Sequence, residues 1–418
     1  MNILKKPAGT LDILPEDAYK RKFLENRIKD IFDLHNYSEI RTPSFEKTEL
    51  FRRGIGDETD VVSKEMYSFK DDEFTLKPEM TAPVIRAFIE NSLFNRSGIQ
   101  KLYYIANMYR HERPQSGRYR EFTQFGAEAI GSNDYSIDTE MIAMSVKIIE
   151  SLNVGNISTK INTIGTPRER SKYISELKNY LSKYINDLSE TSKSRLEKNP
   201  LRILDTKIPG EIKILESAPI LYDFLNKETK EHFNNVLSGL DNLKIKCSID
   251  YRLVRGFDYY TSTTYEVISD DLGAQNAILG GGRYDNLVEQ LGGKPTPAIG
   301  FACGLERLMM ILEKNKFKYP KEVNLKVYIS PIGEKPLKES LKLLFKLRES
   351  GIKSDMDFLS RSLKAQLKEA NKLGAEYVLI LGPDELEKGI VKVKKMEESV
   401  ETELKFNDLM NKPNLLFQ

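Results

Sequence analysis

The sequence predicts an α+β chain of more than one domain, with strand-forming segments split by an inserted helical module and followed by a separate small α/β unit. Three observations predict it. Leu102–Arg110 and Arg120–Gly131 are strand-like arms rich in apolar and aromatic residues, joined by the polar stretch His111–Tyr119. Residues 165–245 turn dense in Lys, Glu, Ser and Asn at helical spacing. Beyond residues 314–322, strand and helix patterns alternate. A length of 418 residues also favours two or three domains over one.

Taken in order, residues 17–35 place Leu24, Ile28, Ile31 and His35 at helical spacing among charged residues. An extended segment follows and breaks at Ile40-Arg41-Thr42-Pro43, because proline holds its predecessor extended. The hairpin of 102–131 comes next, then a helix over Ile137–Leu152. Within the insertion, a charged and solvated helical face accounts for most of the charges. Strand-like, glycine-rich sequence returns at 246–303, and a helix starts near Leu305. Residues 314–322 read as a linker. After it, Leu325, Val327 and Ile329 alternate as a strand. Pro336 opens a helix bearing Leu337, Leu341, Leu344 and Phe345, and Gly351 follows it. A helix over 361–373 then leads to the apolar strand Tyr377–Leu381, giving a mixed sheet. The expected division is a core of 1–164 and 246–318, an insertion at 165–245 and a terminal domain at 325–418.

Composition narrows the function classes. With 64 basic and 62 acidic side chains the net charge is +2, so the chain is no bulk polycation, while a local basic surface for nucleic acid stays open. Cys247, Cys303, His35, His111 and His232 lie too far apart for a zinc site or a disulfide framework; both cysteines are expected as small buried residues, and no metal-ligating residue is assigned. Lys5 and Lys6 precede Pro7 and Gly9 rather than an apolar run, and no stretch is long enough to span a bilayer. A cytoplasmic protein with no membrane partner is expected.

The second hairpin arm carries the most chemistry. Alternate side chains of a strand share a face. The even positions Arg118, Arg120, Phe122, Gln124, Gly126 and Glu128 put two cations, a ring, an amide, a bare backbone patch and a carboxylate together. The odd positions Thr123, Phe125, Ala127 and Ala129 suit a core. Such an even face fits a nucleotide and amino-acid platform, with arginines gripping phosphates, the ring stacking on a base and Gly126 leaving room for a ligand. It equally fits the solvated side of an antiparallel sheet. Three further segments stand out: Leu253-Val254-Arg255-Gly256-Phe257-Asp258-Tyr259-Tyr260, Gly280-Gly281-Gly282-Arg283-Tyr284-Asp285, and Gly300 to Arg307. The glycine run permits close approach of a ligand, and a tight turn is its commoner cause. Arg307 in a first helical turn is electrostatically unfavourable, which hints at a purpose beyond folding.

Together these segments resemble the class II aminoacyl-tRNA synthetases, and within them the histidyl-tRNA synthetase family. Gly9-Thr10-Leu11-Asp12-Ile13-Leu14-Pro15 is similar to that family's opening. Residues 17–43 resemble motif 1, which builds a dimer interface; Tyr109 to Gln115 with Gly117 to Arg120 resemble motif 2; Gly304-Leu305-Glu306-Arg307 resembles motif 3. The Arg255–Tyr260 and Gly280–Asp285 segments resemble the two signatures particular to the histidine family, and Asn199 to Asp205 matches its inserted region. The resemblance covers essentially the whole chain. It implies an antiparallel sheet flanked by helices, a helical insertion and a C-terminal α/β anticodon-binding domain. It also implies a ligase that activates histidine with ATP and Mg2+, transfers it to the tRNA for histidine, and works as a homodimer.

By position in those motifs, the resemblance implies that Arg110 and Arg255 are catalytic, flanking the α-phosphate. Glu112, Arg118, Phe122 and Arg307 would complete the ATP site, Phe122 and Arg307 enclosing adenine. Glu79, Thr81 and Gln124 would hold the histidine ammonium, Arg110 its carboxylate, Glu128 and Tyr260 the imidazole, with Tyr259 beside it and Arg255 also in the histidine site. Arg113 and Gln115 would meet the tRNA acceptor end. Lys77 departs from the more usual arginine of Leu76-Lys77-Pro78-Glu79 and loses its bidentate fork. The competing reading is a non-catalytic paralogue, the regulatory subunit of ATP phosphoribosyltransferase. That type generally lacks the C-terminal domain, whereas residues 325–418, Arg255, Tyr259 and Tyr260 are present here. A second competitor, a degenerate tRNA-binding sensor, conflicts with the intact Arg110, Arg255 and Arg307.

Overall fold

A computed structural model of the chain describes residues 3–56, 59–113, 117–269, 277–320, 325–398 and 400–417. It divides into two compact units, Met1–Lys318 and Tyr319–Gln418. The first opens with α1 (Pro15–Leu34), β1 (Ser38–Glu39), β2 (Phe45–Lys47), α2 (Thr48–Ile55), β3 (Tyr67–Ser68), β4 (Phe74–Leu76) and α3 (Thr81–Glu90). The expected hairpin is β5 (Gln100–Tyr109) with β6 (Glu121–Ile130), followed by α4 (Tyr135–Ser151) and a strand not anticipated, β7 (Ile157–Thr163). Helices α5 (Pro167–Ser182), α6 (Glu190–Lys198), α7 (Pro209–Glu216) and α8 (Lys227–Asn242) run through the charged stretch. The unit closes with β8 (Cys247–Ile249), β9 (Thr261–Ser269), β10 (Ala277–Arg283), α9 (Leu287–Gln290), β11 (Ala298–Gly304) and α10 (Leu305–Lys314).

Among the described residues, eight strands form one sheet in the order β1-β5-β6-β11-β10-β9-β7-β8. Its central pairings are antiparallel and only the edge pairs β1/β5 and β7/β8 are parallel. Alternation gives the sheet two unlike faces. On one, Tyr103, Ala127 and Phe301 are register partners, and α1 lies over them with Phe32 stacked on Tyr103 at 4.7 Å. The buried stripe of α1 is Arg21, Leu24, Ile28, Ile31 and Phe32. His35 instead caps the helix, its Nδ1 2.9 Å from the Ile31 carbonyl. On the other face Tyr104, Gly126, Ala302, Gly280 and Glu266 stand in register across five strands. Small residues in the middle and large ones at the flanks make a trough.

That register corrects two expectations. Gly280–Gly282 form no turn but lie inside β10, and Gly126 does not open onto a ligand, because the Tyr104 hydroxyl and the Phe301 carbonyl occupy the space a methyl group there would need. Cys303 is buried as expected, whereas Cys247 is only half-buried, on an edge strand.

The second unit has β12 (Val327–Pro331), α11 (Glu334–Glu349), β13 (Ser354–Met356), α12 (Leu363–Lys372), β14 (Tyr377–Leu381), α13 (Pro383–Lys388), β15 (Ile390–Lys395), β16 (Val400–Lys405) and α14 (Phe406–Asn411). Its sheet runs β13-β12-β14-β15-β16, parallel over the first three strands and antiparallel over the rest. Helix α11 starts at Glu334, before Pro336, and buries Pro336, Ser340, Leu343, Leu344 and Leu347. Leu341 and Phe345, expected inside, are exposed, because the buried stripe is rotated toward Leu343 and Leu347. Among the described residues no helix is long and apolar enough to cross a membrane.

Candidate active site

A cleft of about 680 Å³ lies over the trough of the larger sheet, and the loops that follow its strands furnish its walls. One wall is cationic. Arg110 leaves the end of β5, where its backbone N–H bonds the Arg120 carbonyl and its Nε donates to Pro78 O at 2.9 Å. Its guanidinium lies 5.4 Å from the Phe122 ring and 5.8 Å from that of Phe257. Arg118 donates to Glu112 at 3.1 Å. Arg307, in the first turn of α10, also lines the cleft; burial and then the neighbouring charge of Arg118 push its pKa down. Several cations gathered on one wall mark a place where a polyanion is stabilised.

Arg255 reaches the same cleft from the loop before β9. Its Nη1 donates to Glu266, and its guanidinium lies 5.6 Å from the Tyr260 ring and directly across Gly280. A methyl group on Gly280 would overlap that guanidinium, so the bare glycine makes the arginine's path.

The far end of the cleft is polar and buried. Glu79 precedes α3 and takes the backbone N–H groups of Thr81 and Ala82 at 2.6 and 2.9 Å, satisfying helix-terminal donors. Thr81 Oγ1 donates to Glu128 at 2.9 Å, and the Tyr284 hydroxyl donates to the other Glu128 oxygen. Glu128 is 1% exposed and fits only because Gly300 carries no side chain. Burial pushes its carboxyl up to about 8, against the pull of the Tyr284 and Thr81 hydrogen bonds. Burial raises the Glu79 carboxyl and the Tyr259 and Tyr260 phenols in the same direction. Among the buried polar atoms of this region, the Tyr104 hydroxyl, Gln124 Oε1 and Arg255 Nε have no hydrogen-bond partner among the described residues, and buried groups seldom stay so without a ligand or solvent to meet.

Residues 9–308 match the family model described as Histidyl-tRNA synthetase, and residues 326–413 match that of an Anticodon binding domain. The histidine–tRNA ligase of Halothermothrix orenii is 45% identical over 97% of this chain and 98% of its own. That of Acetivibrio thermocellus is 45% identical over 98% and 99%. The crystal structure of the apo histidyl-tRNA synthetase of S. aureus superposes with a TM-score of 0.82 at 36% identity, covering 98% of this chain and 99% of that one.

The chain belongs to the histidyl-tRNA synthetase family.

Against the residues singled out from sequence, the cleft of this family member brings together Glu79, Thr81, Arg110, Glu112, Arg118, Phe122, Gln124, Arg255, Tyr259, Tyr260 and Arg307. Glu128 sits just beneath its floor, tied to Thr81 and Tyr284. Arg113 is exposed and does not line it, and Gln115 lies outside the described residues. Strand β6 begins at Glu121, so the even-position argument does not extend to Arg118 and Arg120. Arg120 turns instead against Gly9 and donates to the Glu112 carbonyl at 3.2 Å. Lys77 is buried outside the cleft, its Nζ 3.3 Å from Thr42 O, and burial lowers its pKa. Arg283, inside a family signature, also points away: it clasps Asp138 on α4 at 2.9 and 3.0 Å and so fixes the end of β10 that presents Tyr284.

Sequence reasoning gave no role to Tyr284 or Glu266. Tyr284 lay within the singled-out Gly280–Asp285 segment. The available signal for Glu266 is that it is the one acidic residue of the strand Thr261–Ser269.

Proposed function

We propose that the cleft joins histidine to AMP and then passes it to the 3′ end of its tRNA, the reaction of a histidine–tRNA ligase. The observation that carries the reading is one continuous cleft lined by Arg110, Arg118, Arg255 and Arg307 together with a buried, hydrogen-bonding group around Glu79, Thr81 and Tyr284. In the first step a histidine carboxylate oxygen attacks the α-phosphorus of ATP, the bond to the β-phosphate breaks, and pyrophosphate leaves. Arg110 and Arg255 would flank the phosphoryl oxygens on which charge builds, fixed in advance by Pro78 O and Glu266. Arg118, with its partner Glu112, would meet the distal phosphates, and Phe122 and Arg307 would enclose adenine. Glu79, Thr81 and Gln124 would bind the substrate ammonium. Glu128, Tyr259 and Tyr260 would bind the imidazole, rejecting side chains that leave these buried groups unpaired. In the second step the terminal ribose of the tRNA attacks the activated carbonyl and AMP leaves, with Arg113 and Gln115 at the acceptor end.

Magnesium would arrive on the ATP phosphates and neutralise their charge. Glu112 and Glu266 line the cleft and are the carboxylates that would face an ion carried on those phosphates. We extend the reading to a cytoplasmic homodimer built on the α1 region. The regulatory-subunit alternative is not favoured, since relatives aligned over 97–98% of the chain, C-terminal domain included, are histidine–tRNA ligases.

The test is amino-acid-dependent ATP–pyrophosphate exchange across the twenty amino acids. Exchange with histidine alone is the expected result; a folded protein that exchanges with none of them would overturn the reading.

A further inference from the structure

The loop that carries Arg255, Tyr259 and Tyr260 contains no helix or strand, so its shape is imposed from outside. At its start, buried Asn162 of β7 donates to Leu253 O at 2.9 Å. In its middle, the Asp258 N–H donates to Ile55 O of α2 at 3.1 Å. The inserted module holds the backbone on either side of that bond. Arg170 of α5 donates through Nη1 to Tyr260 O at 2.9 Å. Arg202, in the turn after α6, donates through Nη2 to Gly256 O at 3.3 Å, and its own carbonyl is held by Arg195 at 3.1 Å. Two guanidinium groups from a module remote in sequence thus hold the backbone at both ends of the five-residue stretch Gly256–Tyr260. Carbonyls held by charged donors make stronger hydrogen bonds than neutral pairs do.

We propose that the inserted module is a positioning element for histidine activation itself, acting through Arg170 and Arg202 on the Arg255–Tyr260 loop with no tRNA present. The inference rests on the activity proposed above. Arg170 lies outside the lining of the cleft, whereas Arg202 also lines it, so the Arg170 variants carry the test. Each sets where Arg255 and the two tyrosines stand, and small misplacements of such groups cost rate steeply.

The test is histidine-dependent ATP–pyrophosphate exchange without tRNA, on wild type, Arg170→Ala, Arg170→Lys, Arg202→Ala and, as a control on the exposed face of α5, Arg168→Ala. For Arg170→Ala we expect KM for histidine to rise and kcat to fall by about tenfold each, with KM for ATP within about twofold. Arg202→Ala should move the same way by less, Arg170→Lys should recover part of the loss, and Arg168→Ala should match wild type. Wild-type kinetics in both alanine variants would overturn the proposal. So would a uniform loss in all three parameters that follows Tm and is not rescued by lysine. If wild type itself shows no histidine-dependent exchange, the activity reading fails. Amide hydrogen exchange over residues 254–260 then decides the positioning role separately, faster exchange in both alanine variants supporting it and unchanged exchange refuting it.

Discussion

Gly280 has no room for a methyl group because the end of Arg255 lies across it, and a guanidinium can swing aside where backbone cannot. Gly280→Ala should therefore fold with a Tm within about 3 °C of wild type. Displaced from Glu266, however, Arg255 should stabilise the transition state poorly, and single-turnover adenylate formation should slow by about tenfold or more. An equal rate would remove Arg255 from the chemistry. Glu128 makes a pH prediction. Its folded carboxyl titrates near 8, above the ordinary 4.5. Between those values the folded state holds a proton that the unfolded state has released, so its contribution to stability is fully present below the lower value and lost as pH rises through the upper one. The Tm of the protein without histidine should fall between about pH 5 and pH 8 on this account, and Glu128→Gln should flatten that fall. A slope identical in the two proteins would refute it. None of these residue-level constraints can be read locally. Gly280 meets Arg255 across a sheet, and Glu128 meets Tyr284 across 156 positions of chain.

At the scale of elements, one buried ion pair joins three of them. Arg21 of α1 donates to Glu306 at the start of α10 at 2.7 Å and to Thr123 of β6 at 3.1 Å, and Glu306 also takes the Thr123 N–H. Removing the cation alone strands a carboxylate that is 7% exposed. Arg21→Met should destabilise the larger unit by about 3 kcal/mol, read as a lowered urea midpoint with an unchanged slope. A midpoint equal to wild type would show the pair contributes nothing. The elements themselves were legible: α1, α4, the β5/β6 hairpin, α10 and β14 lie where apolar period and turn residues put them. The face each helix buries was less so. Phe32 replaces His35 in the stripe of α1, and Leu343 and Leu347 replace Leu341 and Phe345 in that of α11, because which side faces inward depends on the partner it packs against.

Over the whole molecule, both units have cores of their own, and the two family matches fall one in each unit. The larger unit also exposes an aromatic patch around the short strands β2–β4, where Phe45 and Phe69 are half-exposed with ring centroids 6.0 Å apart and Phe74 packs edge-on to Phe45. Exposed apolar clusters of this kind commonly mark association surfaces. Together with the motif 1 resemblance of residues 17–43, this supports an isologous dimer. Sedimentation equilibrium at micromolar concentration should give twice the 48.0 kDa chain mass; a fully active monomer would refute it.

By itself the sequence determined the local periods, the breaks between them and the order of short motifs, and these were enough for fold class, family and a set of eleven side chains that line one cleft. Each depends on residues a few positions apart. Only the tertiary structure decided that the glycine run is a mid-strand path for Arg255, that Arg283 braces α4 while Tyr284 meets Glu128, and that Arg170 and Arg202 hold the signature loop. These contacts join residues 25 to 156 positions apart. Sheet register and helix docking set those distances, and no local pattern encodes either.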